Sequence, residues 1–375
     1  MASMAQEVLL QMVRSDYTAP ACNRAQESWL ITGGAGFIGT NFIYMAAERS
    51  SAKLVVLDKL TYAGNLVNLQ PLLDSGRIEF VRGDICDQAL LDRQFGTHGF
   101  QRVFHFAAES HVDRSILGPD EFVKTNVNGT CCLLQATRQA WEDKTDGKLF
   151  LHVSTDEVFG DLAPDDPPFC ESTPYNPSSP YSASKAASDH MVRAWHHTYG
   201  LPVIITNCSN NYGPWQFPEK FIPLLIANAL EGKTLPVYGD GLQIRDWLHV
   251  SDHCEALLRI AECGRIGQTY AIGGNNERTN ISIAETVCDA VDIARGNEHG
   301  TSKALIRHVT DRPGHDRRYA ISSVKIESQL DWRPRQDFDQ AIKALVEWFI
   351  SHQDWVSTIQ SGEYQAFYNR LYGEN

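Results

Sequence analysis

The fold can be predicted from one segment, Trp29-Leu30-Ile31-Thr32-Gly33-Gly34-Ala35-Gly36-Phe37-Ile38-Gly39. Its apolar start predicts a buried strand, and its glycines fit two overlapping patterns, Gly-x-x-Gly-x-x-Gly and Gly-x-Gly-x-x-Gly. Glycines permit a tight turn and let backbone amides approach a pyrophosphate at the start of the next helix, which we place over residues 40–48. A glycine-rich turn without a ligand looks the same in sequence, so the following segment has to decide between the two.

The following segment completes a dinucleotide-binding unit. Leu54-Val55-Val56-Leu57 predicts a second buried strand, and Asp58 comes directly after it, roughly 20 residues beyond the last glycine. An acid at this place binds the ribose hydroxyls of adenosine and repels a 2′-phosphate. The unit therefore predicts NAD rather than NADP, with the neighbouring Lys59 as the one feature that favours a phosphate.

Strands and helices continue to alternate beyond this unit. Apolar runs predict strands over residues 78–81, 103–106, 149–153 and 203–206, and an amphipathic pattern predicts a helix over residues 122–141. This order predicts an α/β fold with a Rossmann-like, doubly wound parallel sheet. Turns, prolines and aromatic residues follow the last of these strands and indicate a smaller substrate-binding lobe.

We expect three parts in the chain. Residues 1–27 form an N-terminal extension without a signal-peptide pattern, residues 28–207 an NAD-binding Rossmann domain, and residues 208–375 the substrate-binding lobe. Residues 248–273 end in an apolar strand that we expect to return to the Rossmann domain. The two larger parts are therefore expected to be interleaved in sequence.

The composition is that of a globular enzyme, with 43% hydrophobic and 21% charged residues. The net charge of −13 argues against a nucleic-acid partner, because binding to a phosphate backbone needs clustered cations. No apolar run approaches the roughly 20 residues of a membrane span. The nine cysteines have no paired spacing, so we expect reduced thiols, no metal site and a cytoplasmic location.

Ser154-Thr155-Asp156-Glu157 follows the predicted strand over residues 149–153. Ligands of open α/β sheets bind at the carboxyl ends of the strands, so these polar side chains are expected to line a cleft. For Asp156 and Glu157 alone, two solvated loop carboxylates would be the ordinary interpretation. The nearby motif described next favours a catalytic acid–base pair instead.

Tyr181 and Lys185 stand four residues apart in a predicted helix that Ser178 or Ser179 caps. Residues at this spacing share one helix face, and a nearby ammonium lowers the pKa of a phenol. Tyr181 is therefore a candidate base for the oxidation of an alcohol. Together with the two acids, it predicts an oxidation that also moves protons on neighbouring carbons.

These motifs resemble the extended short-chain dehydrogenase/reductases and, within them, the dTDP-glucose 4,6-dehydratase family. The glycine loop and the Tyr/Lys pair are typical of the whole superfamily, whereas Thr155-Asp156-Glu157 is far more specific, because epimerases and decarboxylases of this fold lack the Asp-Glu pair. The resemblance runs from about Trp29 to the final helix and also includes residues 57–65, 107–114, 210–214 and 311–316.

The resemblance implies a lyase that uses catalytic NAD to convert dTDP-glucose to dTDP-4-keto-6-deoxyglucose, a precursor of deoxysugars. Tyr181 would take the C4 hydroxyl proton while hydride passes to NAD, with Lys185 on the cofactor ribose and Thr155 on the C4 oxygen. Glu157 would remove the C5 proton as general base, and protonated Asp156 would donate to the departing C6 hydroxyl. Hydride would then return to C6.

The resemblance also implies the residues that surround the two ligands. For the cofactor these are Gly33, Gly36, Phe37, Ile38, Gly39, Asp58, Lys59, Thr61, Asp84, Ile85, Ala107, Ala108, Ser110, Thr125, Tyr181, Lys185 and Asn211. For the substrate these are Ser110, Thr155, Asn210, Lys220, Phe221, Pro236, Tyr238, Arg245, Asn280, Arg312 and His315. Arg245 and Arg312 are expected on the diphosphate, since a guanidinium suits phosphate oxygens.

Two alternatives stay open. A dehydratase could act on a UDP-, CDP- or GDP-linked sugar instead, because the sequence shows base selectivity only indirectly. A catalytically silent NAD-binding sensor is the alternative of another class, although Tyr181, Lys185 and both acids are intact. We expect a homodimer that takes a small nucleotide sugar and binds neither nucleic acid nor a membrane.

Overall fold

A seven-stranded parallel sheet forms the centre of the molecule. The computed structural model describes residues 27–142, 144–311 and 314–359. Its strands are β1 (Ser28–Thr32), β2 (Lys53–Asp58), β3 (Ile78–Arg82), β4 (Arg102–His105), β5 (Leu149–Thr155), β6 (Val203–Cys208), β7 (Asn210–Tyr212), β8 (Leu235–Tyr238), β9 (Ile244–His249), β10 (Thr269–Ile272), β11 (Glu277–Thr279) and β12 (Ile306–Val309).

The main sheet has the strand order β10-β6-β5-β4-β1-β2-β3, and its strands pair in parallel throughout. All residues of β5 and β6 are buried, which is why these strands read as continuous apolar runs rather than as alternating patterns. The order reverses between β1 and β4, and open α/β sheets bind their ligands at such a reversal. The predicted α/β, doubly wound fold is confirmed.

Helices cover both faces of this sheet, and further helices pack in the C-terminal part of the chain. They are α1 (Phe37–Arg49), α2 (Gln70–Asp74), α3 (Gln88–His98), α4 (Val112–Leu117), α5 (Pro119–Phe122), α6 (Thr130–Trp141), α7 (Pro180–Tyr199), α8 (Phe221–Leu230), α9 (Val250–Cys263), α10 (Asn280–Arg295), α11 (Val324–Leu330), α12 (Phe338–Ser351) and α13 (Gln353–Ile359). Short 3-10 turns lie at Leu66–Leu69, Asp156–Phe159 and Ser302–Leu305.

The helix expected over residues 122–141 is not a uniform α-helix. A π-helical segment, Val123–Gly129, separates α5 from α6. In this segment Asn126 donates from Nδ2 to Ser184 Oγ at 2.8 Å and to the Glu109 carbonyl at 3.0 Å. Through Asn126, the wider turn connects the segment both to α7 and to the loop after β4. These two elements form walls of the cleft described below.

The C-terminal part of the chain builds a second, smaller core. Its two small sheets have the orders β11-β9-β7 and β12-β8. Buried side chains from α8, α10 and α12 pack together there, among them Leu225, Val287 and Phe349. In contrast, β10 leaves this lobe and pairs in parallel with β6, and α9 packs on the core around β1, so the strand expected to return to the main sheet does so.

Most of the expected N-terminal extension, residues 1–26, lies outside the described residues. Within the described ranges, none of the helices combines the length and the apolar character that crossing a membrane requires. Eight cysteines are described there and all are free thiols, three of them buried.

Candidate active site

A deep cleft opens at the carboxyl ends of β1, β2, β4, β5 and β6, where the strand order reverses. It contains roughly 1580 Å³ of space, its open mouth included. Because the strands are parallel, the polar residues that follow each of them converge on this one edge of the sheet.

The glycine loop after β1 forms one end of the cleft. Gly33 has a φ of +69°, and a Cβ on it would lie 2.5 Å from the Ala107 amide nitrogen. A Cβ on Gly39 would lie 2.4 Å from the Gly33 carbonyl oxygen. Neither position accepts a side chain, so the bare backbone forms a cradle at the start of α1, as a dinucleotide pyrophosphate requires.

Asp58 lies at the end of β2 and lines the same end of the cleft. Its carboxylate accepts hydrogen bonds from the amides of Ala35 at 2.9 Å and Leu60 at 2.8 Å, and burial raises its pKa. Lys59 forms an ion pair with Asp84 at 2.8 Å. Lys59, which could favour a 2′-phosphate, is therefore already paired, and this supports NAD over NADP.

Thr155 and Asp156 lie where β5 ends and a 3-10 turn begins. The Thr155 hydroxyl accepts from the Glu157 amide at 3.2 Å and donates to Asp156 Oδ1 at 3.3 Å. Asp156 is 1% exposed, and its Oδ2 is buried without a hydrogen-bond partner in the described residues. Burial, followed by the charges of Glu157 and Asp246, raises the pKa of Asp156 well above its ordinary value. This environment favours the protonated, neutral form of Asp156 beside the half-buried Glu157.

Tyr181 and Lys185 come from the first turns of α7 and are both buried. Ser179 caps this helix, since its Oγ accepts from the Ser182 amide at 3.1 Å and the Ser182 hydroxyl reaches back to the Ser179 amide. Burial and the charge of Glu157 raise the pKa of Tyr181, while hydrogen bonding with Thr155 opposes that rise. The net shift is upward, so burial outweighs the lowering of the Tyr181 pKa that the sequence predicts from Lys185, whose ammonium donates to the Val153 carbonyl at 2.9 Å.

The structure brings all predicted catalytic and cofactor residues to this one cleft. Of the predicted substrate residues, Ser110, Thr155, Asn210 and Lys220 also line it. The Lys220 ammonium donates to the Ser110 carbonyl at 2.9 Å and so connects two of its walls. Asn210 Oδ1 is buried without a hydrogen-bond partner in the described part of the chain, as a group that awaits a ligand would be.

Six of the remaining predicted substrate residues lie outside the lining of the cleft. The seventh, Arg312, lies outside the described residues. Tyr238 and His315 pack edge to face at 6.0 Å between ring centroids, and Tyr238 donates to Asp113 at 3.5 Å. Arg245 donates to the carbonyl of Asp316 at 2.9 Å. The others of this group are Phe221, Pro236 and Asn280.

Several lining residues were not predicted from the sequence. Cys208 is the last residue of β6 and Ser209 follows it, so the rule that located residues 154–157 at the end of β5 would also have located these two. Glu109 lines the cleft after β4, and burial raises its pKa. Gln216 and Phe217 come from an irregular loop for which periodicity gives no signal. In the described ranges no group of three or more His, Cys, Asp or Glu side chains is placed to hold a metal ion.

Comparisons with known proteins agree with this geometry. The family model described as GDP-mannose 4,6 dehydratase matches residues 30–345. A dTDP-glucose 4,6-dehydratase of Xanthomonas campestris pv. campestris (strain B100) is 54% identical over 343 residues, which cover 90% of this chain and 97% of the relative. The dTDP-glucose 4,6-dehydratase 1 of Escherichia coli (strain K12) is 51% identical over 355 residues, covering 92% and 98%.

Solved structures show the same relationship. The crystal structure of a dTDP-glucose 4,6-dehydratase from Streptomyces venezuelae, which contains NAD, superposes with a TM-score of 0.82 at 44% identity, covering 88% of this chain and 99% of that chain. A UDP-glucose 4-epimerase from Thermotoga maritima reaches a TM-score of 0.77 at 26% identity, covering 87% and 99%. The fold is thus shared with epimerases, while the higher identities are to dehydratases.

Proposed function

The chain belongs to the dTDP-glucose 4,6-dehydratases within the extended short-chain dehydrogenase/reductases, and on that premise we propose that it is a lyase that converts dTDP-glucose to dTDP-4-keto-6-deoxyglucose. The observation that carries the proposal is Asp156, a buried acid with an unpartnered oxygen and a raised pKa, which lies next to Glu157 and lines the same cleft as Tyr181. A dehydrogenase or epimerase needs no such acid, whereas the loss of water needs one.

The residues at the glycine-loop end of the cleft suit NAD. The bare backbone of Gly33 and Gly39 leaves room for the pyrophosphate, and Asp58 offers an anion to the ribose hydroxyls. When bound, NAD supplies the oxidising and reducing power, taking hydride from C4 of the sugar and giving it back at C6. The cofactor is therefore recycled within one turnover.

Residues of α7 and of the end of β5 carry out the oxidation at C4. Tyr181 accepts the proton of the C4 hydroxyl, and Thr155 holds the same oxygen. Lys185 supplies a fixed positive charge on the face of α7 that carries Tyr181, which favours the phenolate form.

Asp156 and Glu157 carry out the elimination of water across C5 and C6. The C4 ketone acidifies the C5 proton, and Glu157 removes it as general base. Asp156 is neutral because of its burial, so it gives its proton to the C6 hydroxyl, which leaves as water. Two adjacent carboxyl groups take opposite roles because one is buried and the other is half-exposed.

The binding of the substrate beyond the sugar is part of the same proposal. We propose that Arg245 and Arg312 bind the diphosphate of the substrate and that Tyr238 and His315 contact its nucleotide.

The proposed domain division, with a Rossmann domain over residues 28–207 and a substrate lobe over residues 208–375, is supported by the second core that lies wholly after residue 211.

We also propose that the protein is a cytoplasmic homodimer. Ile116, Leu117 and Val123 are 40%, 47% and 50% exposed and lie close together in sequence on α4 and the π-helical segment. Apolar side chains gathered on an outer surface are typical of subunit contacts. Free thiols and the dehydratase substrate suit the cytoplasm.

Purified protein incubated with dTDP-, UDP-, CDP- or GDP-glucose tests the activity. We expect the 4-keto-6-deoxy product from dTDP-glucose, and no product from the variant Tyr181→Phe, which keeps the ring and removes the proton acceptor. A higher kcat/KM with another nucleotide would transfer the assignment to that sugar. Binding of NAD without turnover of any of the four would favour the sensor instead.

A further inference from the structure

One turn beyond Lys185, α7 buries a second charged residue, Asp189, whose exposed fraction is 0%. Its Oδ1 lies 3.1 Å from His152 Nε2. Its Oδ2 accepts from the Tyr175 hydroxyl at 2.8 Å and from Asn207 Nδ2 at 3.4 Å. Asn207 also donates to the Thr155 carbonyl at 2.9 Å, so this cluster is connected to the strand end that carries the catalytic acids.

The surroundings of Asp189 stabilise its ionised form. Burial alone would raise its pKa, but His152, Lys185 and Tyr175 together hold the pKa below its ordinary value. Arg193 donates to the Tyr175 hydroxyl at 2.7 Å, which leaves the hydroxyl proton for Asp189. Burial lowers the pKa of His152 to about 4, so this ring is neutral at physiological pH.

Lys185 is 4% exposed, and its ammonium donates to the Val153 carbonyl. Removing an ammonium from water costs several kcal/mol unless a negative charge compensates it. In the described part of the chain, Lys185 has no ion pair within 4.0 Å, so any compensation comes from a charge at longer range.

Burial lowers the pKa of Lys185, and the charge of Asp189 opposes that fall. The titratable groups that interact with Lys185 lie on three strands and on its own helix. They are His105 on β4, His152 on β5 and Cys208 on β6, together with Asp189 on its own helix. Burial lowers the pKa of both histidines and raises that of the Cys208 thiol to about 12, so all three are neutral. Among these groups, Asp189 alone carries a charge that balances the ammonium.

We propose that Asp189 is a positioning residue of this active site: its buried carboxylate, one turn of α7 beyond Lys185, keeps the Lys185 ammonium charged at the wall of the cleft. His152, Tyr175 and Asn207 in turn keep that carboxylate ionised and fixed. The role of the Lys185 charge in the Tyr181 step rests on the proposed function, whereas the pairing of the two buried charges does not.

The variant Asp189→Asn tests the catalytic consequence, because the amide keeps the shape and removes the charge. Lys185 would lose protons at lower pH, and Tyr181 would lose a positive neighbour. We expect kcat to fall near neutral pH and its acidic limb to move upward by on the order of one pH unit, with the KM for dTDP-glucose unchanged. Asp292→Asn is the matched control, since it removes another buried carboxylate that binds Ser302 in the C-terminal lobe. A pH profile of Asp189→Asn that coincides with the wild type, or is only scaled down uniformly, would overturn the proposal.

A thermal-stability cycle tests the charge pairing without any substrate. Lys185→Gln and Asp189→Asn each leave one buried charge uncompensated, and the double variant leaves none. We expect the double variant to melt at a higher temperature than either single variant. Additive losses, or a double variant that does not fold, would contradict the pairing. Because this readout needs no turnover, a failure of the proposed function and a failure of the pairing give different results.

Discussion

At the scale of single residues, the site depends on how far each acid is removed from water. Asp156 and Glu157 are neighbours in sequence, yet the first is 1% exposed and the second half-buried. Burial raises the pKa of Asp156 and prepares it to donate a proton, while Glu157 keeps access to solvent and accepts one. The same pair of residues in an open loop would have no such division of labour.

Glu157→Gln should abolish the elimination and spare the binding of substrate. An amide of similar shape cannot accept the C5 proton, so turnover should fall by about 10²–10⁴-fold. In deuterated water the variant should also lose exchange of the C5 hydrogen, measured by nuclear magnetic resonance. Asp156→Asn is the matched comparison, because it should lose turnover and retain exchange at C5. Normal C5 exchange in Glu157→Gln would remove Glu157 as the base.

Asp58→Asn should weaken the binding of NAD and reduce the discrimination against NADP. The side-chain amide keeps one of the two oxygens that accept from the backbone amides of Ala35 and Leu60, and it removes the negative charge that faces the ribose. Titration of the purified variant with each cofactor, followed by tryptophan fluorescence, measures both affinities. Unchanged values for both cofactors would mean that the ribose lies elsewhere.

At the scale of elements, the parallel strands and α7 position the catalytic groups, and the sequence predicted most of both. Continuous apolar runs located the strands, and polar residues directly after β5 located the acids. Two candidates remained for the cap of α7, and only the geometry selects Ser179, because its Oγ meets the Ser182 amide while Ser178 bonds Asp316. The π-helical segment had no signal in the apolar pattern, since it depends on Asn126 reaching two neighbouring elements.

Ser179→Ala should destabilise the protein by about 1 kcal/mol and lower kcat, because it frees the first turn of α7, which carries Tyr181. The midpoint of urea unfolding measures the first effect and steady-state turnover the second. Ser178→Ala is the control, because its side chain bonds Asp316 on the surface and not the helix amides. Equal losses in the two variants would show that the cap does not organise the site.

At the scale of the whole molecule, the chain leaves the Rossmann sheet, builds a second core and returns through β10. The sequence predicted this return from one apolar strand. It did not place the six predicted substrate residues that lie outside the lining of the cleft, because their positions depend on how loops of the smaller lobe pack on each other. Tyr238 and His315, for example, are far apart in sequence and meet only through the pairing of β8 with β12.

The exposed apolar surface of α4 and the π-helical segment leads to a prediction about assembly. Leu117→Glu places a charge in the proposed subunit contact and should convert the dimer to a monomer, measured by light scattering after size-exclusion chromatography. Val67→Glu is the control, since the Val67 side chain is 62% exposed and lies in another part of the molecule. A wild-type monomer, or a Leu117→Glu dimer, would refute the proposed interface.

An isotope label followed through one turnover tests whether the protein is a 4,6-dehydratase. dTDP-glucose that carries deuterium at C4 is converted in ordinary water by the purified protein, and nuclear magnetic resonance locates the label in the product. The proposed mechanism predicts deuterium at C6, a solvent proton at C5 and no net reduction of NAD. Deuterium that accumulates in the cofactor, or that stays at C4 of a sugar with its C6 hydroxyl intact, would contradict it.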